Sequence, residues 1–224
     1  MRYSALQILK NGLTGNKSWK QVWRNPEPKP KYDVVIIGGG GHGLATAYYL
    51  AKVHGIRNIA VLERSYIGGG NTGRNTTIVR SNYLLEGNMS FYAHSLKLWE
   101  GLEQELNYNV MFSQRGLVVL AHNDGQVEAL ARRGTMSVMA GDDGVLWSRE
   151  ECRQRMPYLN FDDPRFPIYG ALMHQKGGTA RHDAVVWGYA RAADQLGVDI
   201  IQNCEVQGFR IENGKMLGVE TSRG

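Results

Sequence analysis

Apolar positions in the first third of the chain form two short continuous runs, separated by a stretch of small residues. The first run, residues 33–37, predicts a strand that is buried on both faces. Small and apolar residues over 43–53 predict a helix, and the run over 59–63 predicts a second strand. This order of strand, helix and strand is typical of a β-α-β unit with a parallel sheet.

Later elements follow from the same patterns. Leu98, Leu102 and Leu106 recur at helical spacing and predict a helix over 88–106. Ser148 is the expected N-cap of one further helix, because its hydroxyl can accept from the first helical turn. The other predicted elements are helices at 125–139, 149–156 and 184–196, strands at 116–121, 168–174 and 198–202, and a hairpin of 204–211 with 215–221 around Asn213-Gly214.

Residues 1–31 form an extension before the β-α-β unit. Three leucines at helical spacing predict a short helix, and alternating prolines over 25–31 predict a stiff, extended linker. Two interpretations fit this pattern. The extension is either a disordered tail or an arm for subunit contact, anchored on another chain by Trp19 and Trp23.

A glycine-rich loop joins the first strand to its helix. Gly38, Gly40 and Gly43 match G-x-G-x-x-G, in which the glycines permit the tight turn, close approach of a pyrophosphate and close helix–strand packing. The helix N-terminus adds amide donors and a positive dipole end. Glu63 ends the second strand, where a carboxylate can accept from ribose hydroxyls and would repel a 2′-phosphate. The sequence therefore predicts a dinucleotide site that does not favour NADP.

Residues 64–80 are rich in glycine, asparagine, threonine and arginine and predict a loop. Asn71, Thr72, Arg74 and Thr77 offer donors that suit a pyrophosphate and a flavin ring. This favours FAD over NAD. A solvated loop without a ligand is the alternative.

Composition excludes several function classes. Hydrophobic residues make up 42% and charged residues 21%, so a sizeable core is possible. A net charge of +5 without a basic block does not predict nucleic-acid binding, and no apolar run reaches the roughly 20 residues that span a bilayer. The two distant cysteines predict neither a disulfide framework nor a metal site, and they fit the cytoplasm.

Several strings, in order, resemble the β subunits of heterotetrameric sarcosine oxidases, within the D-amino-acid-oxidase-like flavoprotein superfamily. They are the glycine-rich loop and residues 25–29, 69–71, 74–83, 112–116 and 198–206. The resemblance implies an α/β fold: a Rossmann-like FAD-binding domain of the glutathione-reductase type with an inserted α+β substrate domain on an antiparallel sheet. It assigns 32–84 and 176–224 to the first domain and 85–175 to the second. Family chains are longer, so we expect this chain to be truncated.

The resemblance also implies an activity. Sarcosine would be demethylated by hydride transfer to non-covalent FAD, with electrons passing through FMN to O₂ and giving H₂O₂, glycine and formaldehyde or 5,10-methylenetetrahydrofolate. The implied partners are α, γ and δ subunits, with NAD and tetrahydrofolate on the α subunit. Alternatives are an FAD-dependent dehydrogenase subunit for another secondary amine or imino acid, such as dimethylglycine or proline, and an inactive fragment.

Family positions assign site residues to this chain. Arg80 matches an arginine near the substrate carboxylate, for which a guanidinium is the natural bidentate partner, although an ordinary loop contact is the alternative. Tyr83 is a second catalytic candidate. Val206 would contact FAD through its backbone, next to the adenine. The other matching FAD positions are Gly41, His42, Glu63, Asn71, Thr72 and Arg74.

The string over 178–183 matches the family's covalent FMN site and points to His182 as the attachment residue. The imidazole must be neutral, with one nitrogen free for attack on the flavin 8α carbon. Arg181 beside it could stabilise the anionic reduced flavin. His174 is the competing histidine, and an ordinary histidine at a helix start, with Asp183 helping the cap, is the third possibility.

Overall fold

A computed structural model describes residues 4–17, 19 and 21–224. They divide into two compact units: unit 1 runs to Ile67 and resumes at Tyr189–Gly224, and unit 2 is Gly68–Gly188. The two units are defined by contacts within the chain. The functional domains expected from the sequence, 32–84 with 176–224 and 85–175, remain a prediction.

Six helices and ten strands are described. The helices are α1 Ala5–Leu13, α2 Gly41–His54, α3 Glu86–Leu106, α4 Asp124–Met139, α5 Arg149–Arg155 and α6 His182–Gln195. The strands are β1 Val34–Ile37, β2 Ile59–Leu62, β3 Ile78–Val79, β4 Leu117–Ala121, β5 Val145–Ser148, β6 Gly170–His174, β7 Gly178–Thr179, β8 Asp199–Ile201, β9 Val206–Glu212 and β10 Lys215–Thr221.

Unit 1 contains a parallel sheet in the order β1-β2-β8, which confirms the predicted β-α-β unit. The central strand β2 is buried along its whole length. The expectation that residues 33–37 are buried on both faces is wrong, because Val35 and Ile37 are 36% and 53% exposed. Among the described strands β1 pairs only with β2, so it lies at an edge of this sheet.

Helix α2 begins at Gly41, two residues earlier than the pattern suggested. Its buried face consists of Leu44, Ala47, Tyr48 and Ala51, whose spacing of three and four residues produces one apolar stripe. The helix ends at Gly55, whose left-handed conformation (φ 69°) is the usual glycine C-cap.

The proline-rich linker lies in extended conformation against unit 1. We call residues 24–32 the N-terminal strap. Asn25 Oδ1 accepts from the Gln202 N–H at 2.8 Å, and Lys29 Nζ lies 2.6 Å from Asp199 Oδ2. These contacts lie within one chain, so contact of residues 1–31 with another subunit stays a prediction.

The predicted hairpin is confirmed. Strands β9 and β10 pair antiparallel around Asn213 and Gly214, which both have positive φ (51° and 73°), as a two-residue hairpin turn of this type requires. Val206 and Val219 pack from the hairpin against the cluster of buried residues at the ends of β2 and β8.

Unit 2 contains the antiparallel sheet β4-β6-β5, which confirms the predicted antiparallel insert. Strand β5 was not predicted, because its four residues are mostly exposed and show no apolar alternation. Ser148 ends β5 and caps α5 as predicted, in a reciprocal capping box with Glu151. The core beneath this sheet is made of Trp147, Cys152, Met156, Phe161, Ile168 and Ala171.

The expected loop over 64–80 is interrupted twice. Asn71–Arg74 forms a 3₁₀ turn, and β3 pairs antiparallel with β7, with Ile78 opposite Thr179. A partner about a hundred residues away is invisible in the local pattern, which is why a loop was expected throughout. Among the described helices, none combines the length and hydropathy needed to cross a bilayer. Cys152 and Cys204 are free and buried.

Candidate cofactor and substrate sites

The glycine loop of unit 1 is shaped by a left-handed glycine at Gly38 and by close backbone packing at Gly43. Gly38 has φ 105° and donates its N–H to Leu62 O at 2.8 Å, which fixes the turn after β1. A Cβ at Gly43 would lie 2.0 Å from Gly38 O, so only glycine fits there. Gly40 is the N-cap of α2 and no side chain caps that helix start. The result is a bare backbone cradle of the kind that binds phosphate.

Glu63 lies across this cradle. One carboxylate oxygen accepts from the Gly39 N–H at 2.8 Å and the other from the Ser65 N–H at 2.9 Å. A Cβ at Gly39 would lie 3.0 Å from Glu63 Cβ, so the absence of a side chain there permits the approach. Each oxygen retains a lone pair for a ribose hydroxyl. The motif treats Gly39 as a spacer, so sequence reasoning missed its part in positioning Glu63.

The remaining predicted FAD residues of unit 1 occupy ordinary positions. Gly41 begins α2, and His42 is exposed in its first turn. Val206 begins β9 and is half-buried against the cluster at the end of β2 and β8. Their contacts with FAD stay predictions.

In unit 2 the loop that carries Asn71, Thr72 and Arg74 is braced by its own backbone. A Cβ at Gly73 would lie 2.6 Å from Gly68 O, so the 3₁₀ turn requires glycine. Asn75 accepts the Thr77 N–H at 2.7 Å and donates to Thr72 O at 2.6 Å.

Thr77 adopts φ 62° in this loop, a rare conformation for a β-branched residue. Asn71 and Arg74 are exposed, and Thr72 and Thr77 are half-buried. The four predicted donors therefore lie on a loop with internal hydrogen bonds.

The structure brings the two catalytic candidates together. The guanidinium carbon of Arg80 lies 4.4 Å from the centre of the Tyr83 ring, and that ring stacks on Tyr92 at 3.8 Å with an interplanar angle of 22°. Arg80 also donates to Asn82 Oδ1 at 3.3 Å. Among the described side chains no carboxylate pairs with Arg80. An oriented cation without an acidic partner suits a substrate carboxylate.

His182 is the first residue of α6, and its Nδ1 is buried without a hydrogen-bond partner. Arg181 and Asp183 form a two-point ion pair at 3.0 and 2.5 Å. The hydrogen bond from Arg181 lowers the pKa of Asp183, and the same contact raises the pKa of Arg181. Asp183 also accepts the Ala184 N–H at 2.9 Å. The expected contact of Arg181 with a reduced flavin stays a prediction, and the structure pairs it with Asp183.

A polar cluster of unit 2, with two buried and two half-buried members, was not predicted. Ser81, Asp142, Asp143 and His174 converge at the end of β6, where His174 is 1% exposed. The local signal was weak: a single histidine at the end of an apolar strand, considered only as a flavin attachment site. Long-range folding alone brings the four residues together.

Comparisons with known proteins give the family and the sequence relatives of the chain. A sequence model of the family described as DAO, FAD dependent oxidoreductase, matches residues 33–224. The chain is 64% identical over 224 residues to the protein named sarcosine oxidase subunit beta of Rhizobium meliloti (strain 1021), covering 100% of this chain and 54% of the relative. Identity to the protein of that name from Rhodobacter capsulatus is 50% over 223 residues, with the same coverage. The chain therefore spans about half the length of the curated relatives it matches.

Solved structures show the same fold. An L-proline dehydrogenase from P. horikoshii matches with a TM-score of 0.79 and 30% identity over 89% of this chain and 50% of its own. A glycine oxidase from Bacillus cereus ATCC 14579 matches with a TM-score of 0.77 and 26% identity over 87% of this chain and 52% of its own. These structural likenesses confirm the fold class. The sequence relatives and the family model confirm the resemblance inferred from the sequence strings.

Proposed function

This chain belongs to the FAD dependent oxidoreductase family, and from that premise we propose that it is the FAD-binding part of a sarcosine oxidase β subunit. The proposed assembly includes α, γ and δ subunits, with NAD and tetrahydrofolate on the α subunit. The observation that carries the proposal is 64% identity to a relative of that name along the whole of this chain.

The residues of unit 1 fit FAD. The cradle of Gly38, Gly40 and Gly43 would hold the pyrophosphate by backbone amides, because a side chain at Gly43 would collide with the turn. Glu63 is held by two backbone N–H groups and would accept from the adenosine ribose hydroxyls. The same carboxylate disfavours a 2′-phosphate, which supports FAD over NADP.

When bound, FAD would supply the acceptor for a hydride from the N-methyl carbon of sarcosine, and FMN would supply the route of the electrons to O₂, giving H₂O₂. Water would hydrolyse the resulting imine to glycine and formaldehyde, or tetrahydrofolate would take up its one-carbon group to give glycine and 5,10-methylenetetrahydrofolate. Arg80 would bind the sarcosine carboxylate through two parallel hydrogen bonds. Tyr83 would hold the guanidinium plane by stacking beneath it.

The proposal places covalent FMN on His182. Its Nδ1 is buried and has no hydrogen-bond partner, so the protein leaves a ring nitrogen uncommitted. The competing residue, His174, also has an Nδ1 without a hydrogen-bond partner, but that atom lies 2.7 Å from Asp143 Oδ1. Its Nε2 accepts from the Ser81 N–H at 3.3 Å. This difference favours His182 and leaves the attachment open to a direct test.

The test is to denature the flavin-loaded enzyme and measure the flavin that stays with this chain. We expect His182→Ala to lose chain-bound flavin while non-covalent FAD is retained and sarcosine still bleaches the oxidised FAD band. His94→Ala, an exposed histidine of α3, is the matched control and keeps the covalent flavin. Covalent flavin that persists in His182→Ala would refute the attachment, and wild-type enzyme that sarcosine does not bleach would refute the activity.

A second candidate is a dehydrogenase subunit for a cyclic imino acid. It is favoured by the structural match to an L-proline dehydrogenase at 30% identity. Anaerobic reduction of the bound flavin by sarcosine, dimethylglycine and L-proline, compared side by side, separates the two. Faster reduction by L-proline than by sarcosine would support the second candidate.

A further inference from the structure

The peptide that follows Arg80 is buried. Ser81 and Asn82 are each 3% exposed, although Arg80 itself is only half-buried. Strand β3, directly before Arg80, is two residues long and pairs only with β7 among the described strands. Two paired residues restrain the backbone only weakly. The position of Arg80 therefore depends on the contacts that hold Ser81, the next residue.

His174 holds that residue. Its Nε2 lies 3.3 Å from the Ser81 backbone nitrogen and 3.2 Å from Ser81 Oγ. The Ser81 hydroxyl donates to Asp142 Oδ2 at 2.7 Å, so the group that donates to the ring is the Ser81 N–H. Nε2 is then the acceptor, and the neutral ring carries its proton on Nδ1.

Asp143 lies against the opposite side of the ring. Its Oδ1 lies 2.7 Å from His174 Nδ1, at ion-pair distance but not aligned as a hydrogen bond. The other oxygen accepts from the backbone N–H groups of Gln175 and Lys176, the latter at 3.3 Å. The turn after β6 thus fixes the carboxylate, and the carboxylate restrains the ring.

A metal ion is the alternative occupant, because single ligand atoms of Asp142, Asp143 and His174 lie within 4.8 Å of one another. A metal on Nδ1 would compete with the proton that this nitrogen carries while Nε2 accepts from Ser81. Both bonds together would require an imidazolate. The Ser81 N–H therefore favours a hydrogen-bonded cluster over a metal site.

We propose that His174 is a positioning residue for Arg80. It fixes the Ser81 amide and with it the peptide plane that carries the Arg80 side chain, so that the guanidinium stays stacked over Tyr83 and in register with the substrate carboxylate. This inference rests on the proposed function, in which Arg80 binds that carboxylate. Displacement of a substrate-binding group by about one ångström can cost about a hundredfold in rate.

The test compares two substitutions of His174 in the flavin-loaded, assembled enzyme. His174→Leu removes the acceptor, and we expect KM for sarcosine to rise roughly ten- to a hundredfold, with a smaller change in kcat. His174→Gln supplies an amide oxygen near the place of Nε2 and is expected to restore KM to within about threefold of wild type. Covalent flavin should be unchanged in both variants.

The control is Leu130→Ala, which opens a cavity in the cluster that packs on β6 but touches none of these polar groups. It should lower the melting temperature without changing KM. If His174→Leu fails to fold, Asp143→Asn carries the test and should raise KM in the same direction by about two- to fivefold.

Three results would overturn the inference. They are a wild-type KM in folded His174→Leu or Asp143→Asn, a His174→Gln variant as impaired as His174→Leu, and a stoichiometric metal in the wild-type enzyme that is lost with His174→Gln. The variant Arg80→Lys shows whether a negative result contradicts only the positioning role of His174 or the proposed carboxylate site as well. If Arg80→Lys also leaves KM unchanged, the carboxylate site itself is wrong. If Arg80→Lys raises KM and His174→Leu does not, only the positioning role fails.

Discussion

Two carboxylates lie at opposite ends of the same parallel sheet of unit 1 and have opposite surroundings. Glu63 follows β2 at the carboxyl end, and its contacts are backbone N–H groups of Gly39 and Ser65. Asp199 begins β8 at the amino end, where it is 1% exposed. Its partners are the side chains of the N-terminal strap: Lys29 at 2.6 Å, Tyr32 at 3.1 Å and Arg24 at 3.5 Å.

The difference is the one expected between the proposed binding role of Glu63 and a structural role of Asp199. Two cations and a phenol saturate Asp199, as a buried carboxylate requires. Glu63 is oriented by neutral donors, and among the described residues no cation lies within ion-pair distance of it. In the proposed function, ligand binding belongs to the carboxyl end of this sheet, as is general for open α/β sheets, and the amino end serves stability.

The largest effect should follow from closing the cradle beside Glu63. Gly43→Ala places a methyl group 2.0 Å from Gly38 O, which the turn cannot absorb without moving. We expect FAD affinity to fall about a hundredfold or more, about 2.7 kcal/mol, measured by quenching of flavin fluorescence. Gly101→Ala in α3, with nothing within 4 Å of its added carbon, is the tolerated control. Unchanged affinity in Gly43→Ala would contradict the steric account.

Next in size is removal of the cations at the amino end. Arg24→Met with Lys29→Met leaves Asp199 buried with only Tyr32. Because both cations are about half exposed and partly screened, we expect the free energy of unfolding to fall by about 2 kcal/mol. Chemical denaturation measures it. Lys31→Met removes an exposed charge of the same linker and should change stability by less than about 0.5 kcal/mol. A double variant as stable as this control would show that the strap does not neutralise Asp199.

Amide substitutions of Glu63 and Asp199 then test whether the first carboxylate serves FAD binding and the second serves stability. Glu63→Gln keeps one acceptor for the backbone donors but loses the charge, so FAD affinity should fall about tenfold with little change in unfolding temperature. Asp199→Asn should show the reverse: a loss of about 1–2 kcal/mol in stability at wild-type FAD affinity. If either variant changes both properties equally, the two ends of the sheet are not independent.

The smallest expected effect is a pH dependence at the amino end. The hydrogen bond and charge of Asp199 raise the pKa of Lys29, and burial raises the pKa of Tyr32. The folded chain therefore holds both protons more tightly than the unfolded chain does. This contribution is complete below the ordinary pKa values and is lost as pH rises beyond about 10. The unfolding temperature of wild type should fall more steeply over that range than that of Lys29→Met with Tyr32→Phe. Parallel slopes would contradict the assignment.

Short sequence patterns correctly predicted the elements that depend on neighbouring residues. The β-α-β unit, the helix spacing of 88–106, the capping box at Ser148 and the Asn213-Gly214 turn depend on residues a few positions apart, and the structure confirms each. The exposure of Val35 and Ile37 and the pairing of β3 with β7 were not predictable, because both depend on which distant strand lies alongside. Strand β5 was missed for a related reason: its pairing with β6, not its own sequence, makes it a strand.

The candidate sites divide in the same way. Amino-acid sequence alone determined the glycine loop, the acidic residue that closes it, and Arg80 and His182 as residues for test, since motif spacing and family strings carry that information. Only the tertiary structure decided that Gly39 holds Glu63 and that His174 accepts the Ser81 amide. Hydrogen-bond partners far apart in the chain depend on the folded path of the backbone, and no local pattern encodes them.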